Sequence, residues 1–158
     1  MKIWLYVDEF STMDRTAEDE YEEIEEFFKG QLSGRLYFKR EVLPGELKNG
    51  SPDIYLWDIG GMCIVDHSGD RRIEFCRQIV EQVDDHPNTL FIPYTAMTRR
   101  DLQFALTEYL PEFACKAEED REYPEETPRG NVWCPKKEYE GGDRYPPSLV
   151  EKLKEWFK

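Results

Sequence analysis

The stretch DIYLWDIGGM, residues 53–62, constrains this chain more than any other. An apolar run reaches Asp58, and Gly60 and Gly61 then turn the chain. A run with no apolar–polar alternation predicts a strand covered on both faces, here 53–59. KIWLYV (2–7) and NTLFIPYTA (88–96) have the same character. GRLYFKREV (34–42) reads as a further strand and NVWCP (131–135) as the fifth.

Helical segments separate these strands. In TAEDEYEEIEEFFKG (16–30), Ala17, Tyr21, Ile24 and Phe28 recur on one face of a 3.6-residue period, and Gly30 stops the helix. LPGELKNGSP (43–52) reads as loop. Residues 71–87 read as a helix with Cys76, Ile79, Val80 and Val83 on one side, ended by Pro87. Residues 98–112 read as another, N-capped by Thr98, with Leu102, Ala105, Leu106 and Tyr109 inward. Residues 146–158 close the chain as a helix burying Leu149, Val150, Leu153 and Trp156 or Phe157. Alternating strands and helices imply an α/β chain of βαβ units, with a doubly wound parallel sheet between two helical layers.

Length and charge narrow the function. A chain of 158 residues fits one domain and needs no staples. The net charge of −13 argues against nucleic acid, whose binders need cationic surface, and against anionic membranes. It permits a basic partner protein or a divalent cation. No apolar h-region opens the chain and no segment has the length of a membrane span. Cys63, Cys76, Cys115 and Cys134 form no CxxC pair, which fits free thiols and a cytoplasmic location.

Ligands of open parallel sheets gather at the carboxyl ends of the strands. Those ends carry Asp8 and Glu9 after the first strand, Asp58 after the third, Tyr94 and Thr95 after the fourth, and Lys136 or Lys137 after the fifth. Carboxylates of this kind can hold Mg²⁺, which prefers oxygen ligands. Asp58 can attack phosphorus, Thr95 can hydrogen-bond phosphoryl oxygens, and a lysine can offset their charge.

With VDE after the first strand, YLWDIGGM after the third, FIPYTAMT after the fourth and a lysine after the fifth, the chain resembles response-regulator receiver domains. The resemblance implies a flavodoxin-like five-stranded sheet in the order 2-1-3-4-5. It also implies Asp58 as phosphoacceptor, Mg²⁺ held by Asp8, Glu9 and Asp58, and Thr95 as switch hydroxyl. The activity implied is at most self-phosphorylation at Asp58, within a two-component phosphorelay. The partner would be a kinase or a regulated protein. The site lysine stays open between Lys116, Lys136 and Lys137; Lys136 follows the better strand and makes residues 111–130 an acidic insertion.

Two other readings stand beside it. WDIGGM also resembles the nucleophile motif of haloacid-dehalogenase-type phosphohydrolases, although Gly60 stands where that family has a second Asp. Alternatively the chain is a pseudo-receiver, an acidic interaction or inhibitor protein without catalysis. The acidic residues Glu18, Asp19, Glu22, Glu23, Glu25 and Glu26 read as a solvated helix face, and His67 and His86 as surface loop residues. Pro93 falls inside the fourth strand, where proline removes a ladder donor.

Overall fold

A computed structural model describes residues 1–7, 16–58, 69–94, 106, 110, 113, 130–133 and 145–158, with the backbone alone at 69–73. Its strands are β1 (Lys2–Tyr6), β2 (Tyr37–Lys39), β3 (Ile54–Asp58) and β4 (Leu90–Tyr94). Its helices are α1 (Ala17–Gln31), α2 (Gly69–Asp85) and α3 (Pro147–Trp156), with a 3₁₀ turn at Pro44–Asn49 where a loop is expected. Among the described residues no helix is long and apolar enough to cross a membrane. The expected helix at 98–112 lies mostly outside the described residues; Leu106, Leu110 and Phe113 are buried.

All four strands run parallel in the order β2-β1-β3-β4. The sheet therefore has four strands among the described residues rather than the five expected. Residues 131–133 lie parallel beside β4 but form only one bridge, Val132 to Phe91. The Phe91 N–H donates to Asn131 O at 2.7 Å, and Trp133 N–H donates to Phe91 O at 2.9 Å. This arrangement explains how Pro93 is tolerated. Leu90 N–H bonds Asp53 O, so Leu90 faces β3, whereas Phe91 faces the outer segment. Peptide groups alternate along a strand, so Pro93 shares the outward direction of Phe91 and the ladder to β3 loses no donor.

Register assigns the two faces. Ile3, Ile54 and Leu90 are aligned, as are Leu5, Leu56 and Ile92, and Asp58 with Tyr94. These share one face, and the Tyr94 hydroxyl reaches Glu20 of α1 there. Trp4 and Tyr6 align with Tyr55 and Trp57 on the other face, where Tyr6 packs against Phe75 of α2 at 5.7 Å between ring centres. Helices therefore cover both faces, and all five residues of β3 are buried.

The amphipathic period of α1 holds, since Tyr21, Ile24 and Phe28 are buried. Thr16 caps it, its hydroxyl accepting from Asp19 N while the Asp19 carboxylate accepts from Thr16 N. The acidic face is largely solvated, with Glu18, Asp19, Glu22 and Glu26 exposed, and it also carries ion pairs. Glu25 and Glu18 take the Arg40 guanidinium at 2.8 and 2.6 Å, and Glu26 takes Lys29 at 2.9 Å. His86 is likewise no loose surface residue: Nδ1 lies 3.0 Å from Gln82 O and Nε2 3.1 Å from Gly50 O.

β2 is shorter than its apolar pattern because its ladder with β1 is interrupted at Arg40 and Glu41, although the Val42 N–H bonds Leu5 O of β1 again at 2.9 Å. Glu41 follows in the left-handed region at φ 59°, where side chains other than Gly, Asn and Asp are uncommon. Glu41→Asn, which keeps the backbone N–H that donates to the Tyr21 hydroxyl, is expected to raise stability by about 0.5–1 kcal/mol in urea melts. A loss of stability would mean that the Glu41 side chain outweighs its backbone strain.

Two buried phenols set an alkaline limit. Burial raises the Tyr21 hydroxyl above its ordinary 10.0, and raises Tyr55, whose hydroxyl donates to Val42 O at 2.8 Å, well above it. A group raised in the folded state favours folding fully below its unfolded value, and that advantage is lost as pH rises toward the folded value. Denaturation midpoints should thus hold steady to about pH 9.5 and fall above pH 10, less steeply in Tyr55→Phe. An identical slope in wild type and variant would show that Tyr55 does not supply it.

Candidate functional site

Parallel strands bring their carboxyl ends to one edge, and three lie side by side here: Val7 after β1, Asp58 at the end of β3 and Tyr94 at the end of β4. Asp58 and Tyr94 are register partners on the face that α1 covers. The expectation that Asp58 stands at a strand's carboxyl end holds. Its surroundings are more enclosed than a bare rim, since Asp58 is only 7% exposed.

α1 supplies the rest. Glu20 is 4% exposed, and its Oε2 accepts from the Tyr94 hydroxyl at 2.5 Å. Tyr145 stacks on Tyr94 at 6.3 Å and on Phe27 of α1 at 4.2 Å. The next residue, Tyr21, ties the helix to two other strand exits. Its hydroxyl accepts from Val7 N at 2.9 Å and from Glu41 N at 3.2 Å. Tyr21 thus anchors the residue immediately before Asp8.

Neither Glu20 nor Tyr21 was expected at the site. Glu20 lies three residues after Ala17 and four before Ile24, so its spacing puts it on the core face of α1. A carboxylate at a core-facing helical position was the signal in the sequence, hidden among the surrounding acids.

Of the expected site residues, the structure describes Asp58 alone. Asp8, Glu9, Thr95 and Lys136 lie outside the described residues, as do Lys116, Lys137, His67 and the acidic stretch before Gly130. Among the described residues no group of three His, Cys, Asp or Glu could hold a metal ion.

The arrangement places two buried carboxyl groups and a phenol on one face of the sheet's carboxyl edge. A buried phenol that donates to a carboxyl oxygen fixes both side chains, because each would lose its hydrogen bond by turning away. The acid at the end of β3 thereby sits beside a strand end held rigidly by α1. No protein-family model, curated protein or solved structure matches this chain.

Proposed function

We propose that the chain is a receiver-like signalling domain in which Asp58 accepts a phosphoryl group. The supporting observation is that Asp58 closes the central strand of a parallel sheet, at the edge where ligands of such sheets bind. The finer fold reading is flavodoxin-like with strand order 2-1-3-4-5, residues 131–133 beginning the fifth strand. The order β2-β1-β3-β4 and the parallel bridge from Phe91 to Val132 support it.

In this reading an Asp58 carboxylate oxygen attacks phosphorus and forms the acyl phosphate P–O bond. The bond from phosphorus to the donor's leaving group breaks, and the electron pair departs with that group. Asp8, Glu9 and Asp58 would hold Mg²⁺. Their all-oxygen donor set has the right chemistry, and β1 and β3 are adjacent, with Tyr6 in register with Trp57 just before these acids. The ion would offset the phosphoryl charge. Thr95 donates a hydrogen bond to a phosphoryl oxygen and Lys136 pairs with its charge. Signalling then passes through protein–protein contact with a kinase or a regulated target.

The small exposure of Asp58 favours one competing reading, a pseudo-receiver that binds partners without chemistry. One experiment separates them. The protein is incubated with acetyl phosphate and Mg²⁺ and its intact mass is measured beside a known receiver. Wild type is expected to gain one hydroxylamine-labile phosphoryl group, and Asp58→Asn none. An unlabelled wild type beside a labelled control would overturn the proposal. Steady turnover of a phosphate ester would instead point to a phosphohydrolase.

A further inference from the structure

The charge of this protein is unevenly spread. Residues 1–7 and 29–40 contain Lys2, Lys29, Arg35, Lys39 and Arg40 and no Asp or Glu, in a chain with 34 acidic and 21 basic residues. The pairing of β1 with β2 gathers both stretches at one edge of the sheet. Arg40 is engaged by Glu18 and Glu25, and Lys29 by Glu26. Among the described residues Lys2, Arg35 and Lys39 have no acidic side chain in an ion pair with them.

Register places these charges among aromatic rings. Lys2 aligns with Tyr37 and Trp4 with Lys39, so the four side chains share one face. The Arg35 guanidinium lies 5.3 Å from the Tyr37 ring centre and the Lys39 ammonium 4.8 Å from that of Trp4. Tyr37 is 53% exposed, so its ring is accessible at this edge.

The backbone beside them is open. Tyr37 N–H donates to Met1 O at 2.9 Å and so faces β1. The peptide groups of Phe38 then point the other way, to a side where no described strand lies. An unpaired strand edge is a template for an added strand.

We infer that the outer edge of β2 docks an extended acidic segment of a partner polypeptide. The segment adds as a strand, its backbone bonds Phe38, and its carboxylates meet Lys2, Arg35 and Lys39. Charge complementarity selects this occupant. The same cations repel the corresponding edge of a second copy, and a protein of net charge −13 repels the long phosphate backbone of a nucleic acid. A short acidic strand satisfies both the cations and the peptide groups. The inference is independent of any phosphorylation at Asp58.

The test titrates the ¹⁵N-labelled full chain with a synthetic peptide of alternating Glu and Val. A Lys–Val peptide and a single-stranded thymidine oligonucleotide serve as comparators. The Glu–Val peptide is expected to shift the amides of Tyr37, Phe38 and Lys39 saturably, and the Lys–Val peptide to shift none. The double variant R35E/K39E, altered only at exposed side chains, should bind the Glu–Val peptide at least about tenfold more weakly. No shift at residues 37–39 in wild type, or equal binding by the variant, would overturn the inference. So would saturable shifts there with the oligonucleotide and none with the peptide.

Discussion

Trp57→Ala is expected to destabilise the protein by about 3–5 kcal/mol, the range for truncating a large buried aromatic. Trp57 is fully buried in the central strand, stacked against Tyr55 at 6.3 Å, and Tyr55 in turn meets Phe91 edge-on at 5.9 Å. The cavity would thus open on the face of the sheet that packs against α2, beside strands held in place by parallel ladders that limit collapse. Trp57→Phe should behave differently. Among the described residues the buried indole N–H has no hydrogen-bond partner, and such a donor carries the cost of desolvation. Phenylalanine removes that donor while filling most of the space, and the net loss should stay below about 1.5 kcal/mol. Urea denaturation of the three proteins, with a shared m-value, measures both effects. If Trp57→Phe cost as much as Trp57→Ala, filling the space and removing the unpaired donor would bring no relief, and the indole itself would be what the site requires.

Tyr94→Phe is expected to cost about 1–3 kcal/mol, because it takes away the phenol that donates to a buried Glu20 oxygen. Nothing of similar size is lost in packing, since the ring remains against Tyr145. Glu20→Leu removes the other half of the bond. The double variant should cost less than the sum of the two single ones, with a coupling of about 1 kcal/mol or more, since neither partner is then left behind in the interior. Additive losses would show that the phenol and carboxyl do not depend on each other. The bond also bears on the site. Tyr94 is the register partner of Asp58, so Tyr94→Phe is expected to change the rate of acetyl phosphate labelling.

The strands were readable from sequence wherever burial on both faces left an unbroken apolar run. KIWLYV, DIYLWDI and the LFIPY within residues 88–96 became β1, β3 and β4 with bounds shifted by only one or two residues. The helix at 71–87 was similarly clear, ending at Asp85 just before His86 and Pro87. β2 was overestimated at both ends. Its pattern of apolar residues continues to Val42, but the Arg40 guanidinium turns toward Glu18 and Glu25, and Glu41 takes a left-handed conformation. Periodicity carries no information about such a long-range ion pair. The 3₁₀ turn at Pro44–Asn49 is local but equally hidden, closed by the Glu46 carboxylate accepting from Leu43 N at 2.8 Å.

The site was half legible for a related reason. An acid ending an apolar run points to a strand's carboxyl edge, and Asp58 is found there. Glu20 was lost among the many acids of α1, because a single helix does not reveal which of its carboxylates meets a phenol 74 residues away. His86, bridging the end of α2 to Gly50, was missed in the same way.

By itself, the sequence determined which segments cross the interior, because apolar runs and helical periods follow from the local need to exclude water. It also determined that an acid stands where the central run stops. Only the tertiary structure decided which strands are neighbours, which face each side chain takes and which buried carboxyl meets which hydroxyl. Those outcomes depend on chain segments far apart in the sequence packing together, and no local pattern encodes that distance.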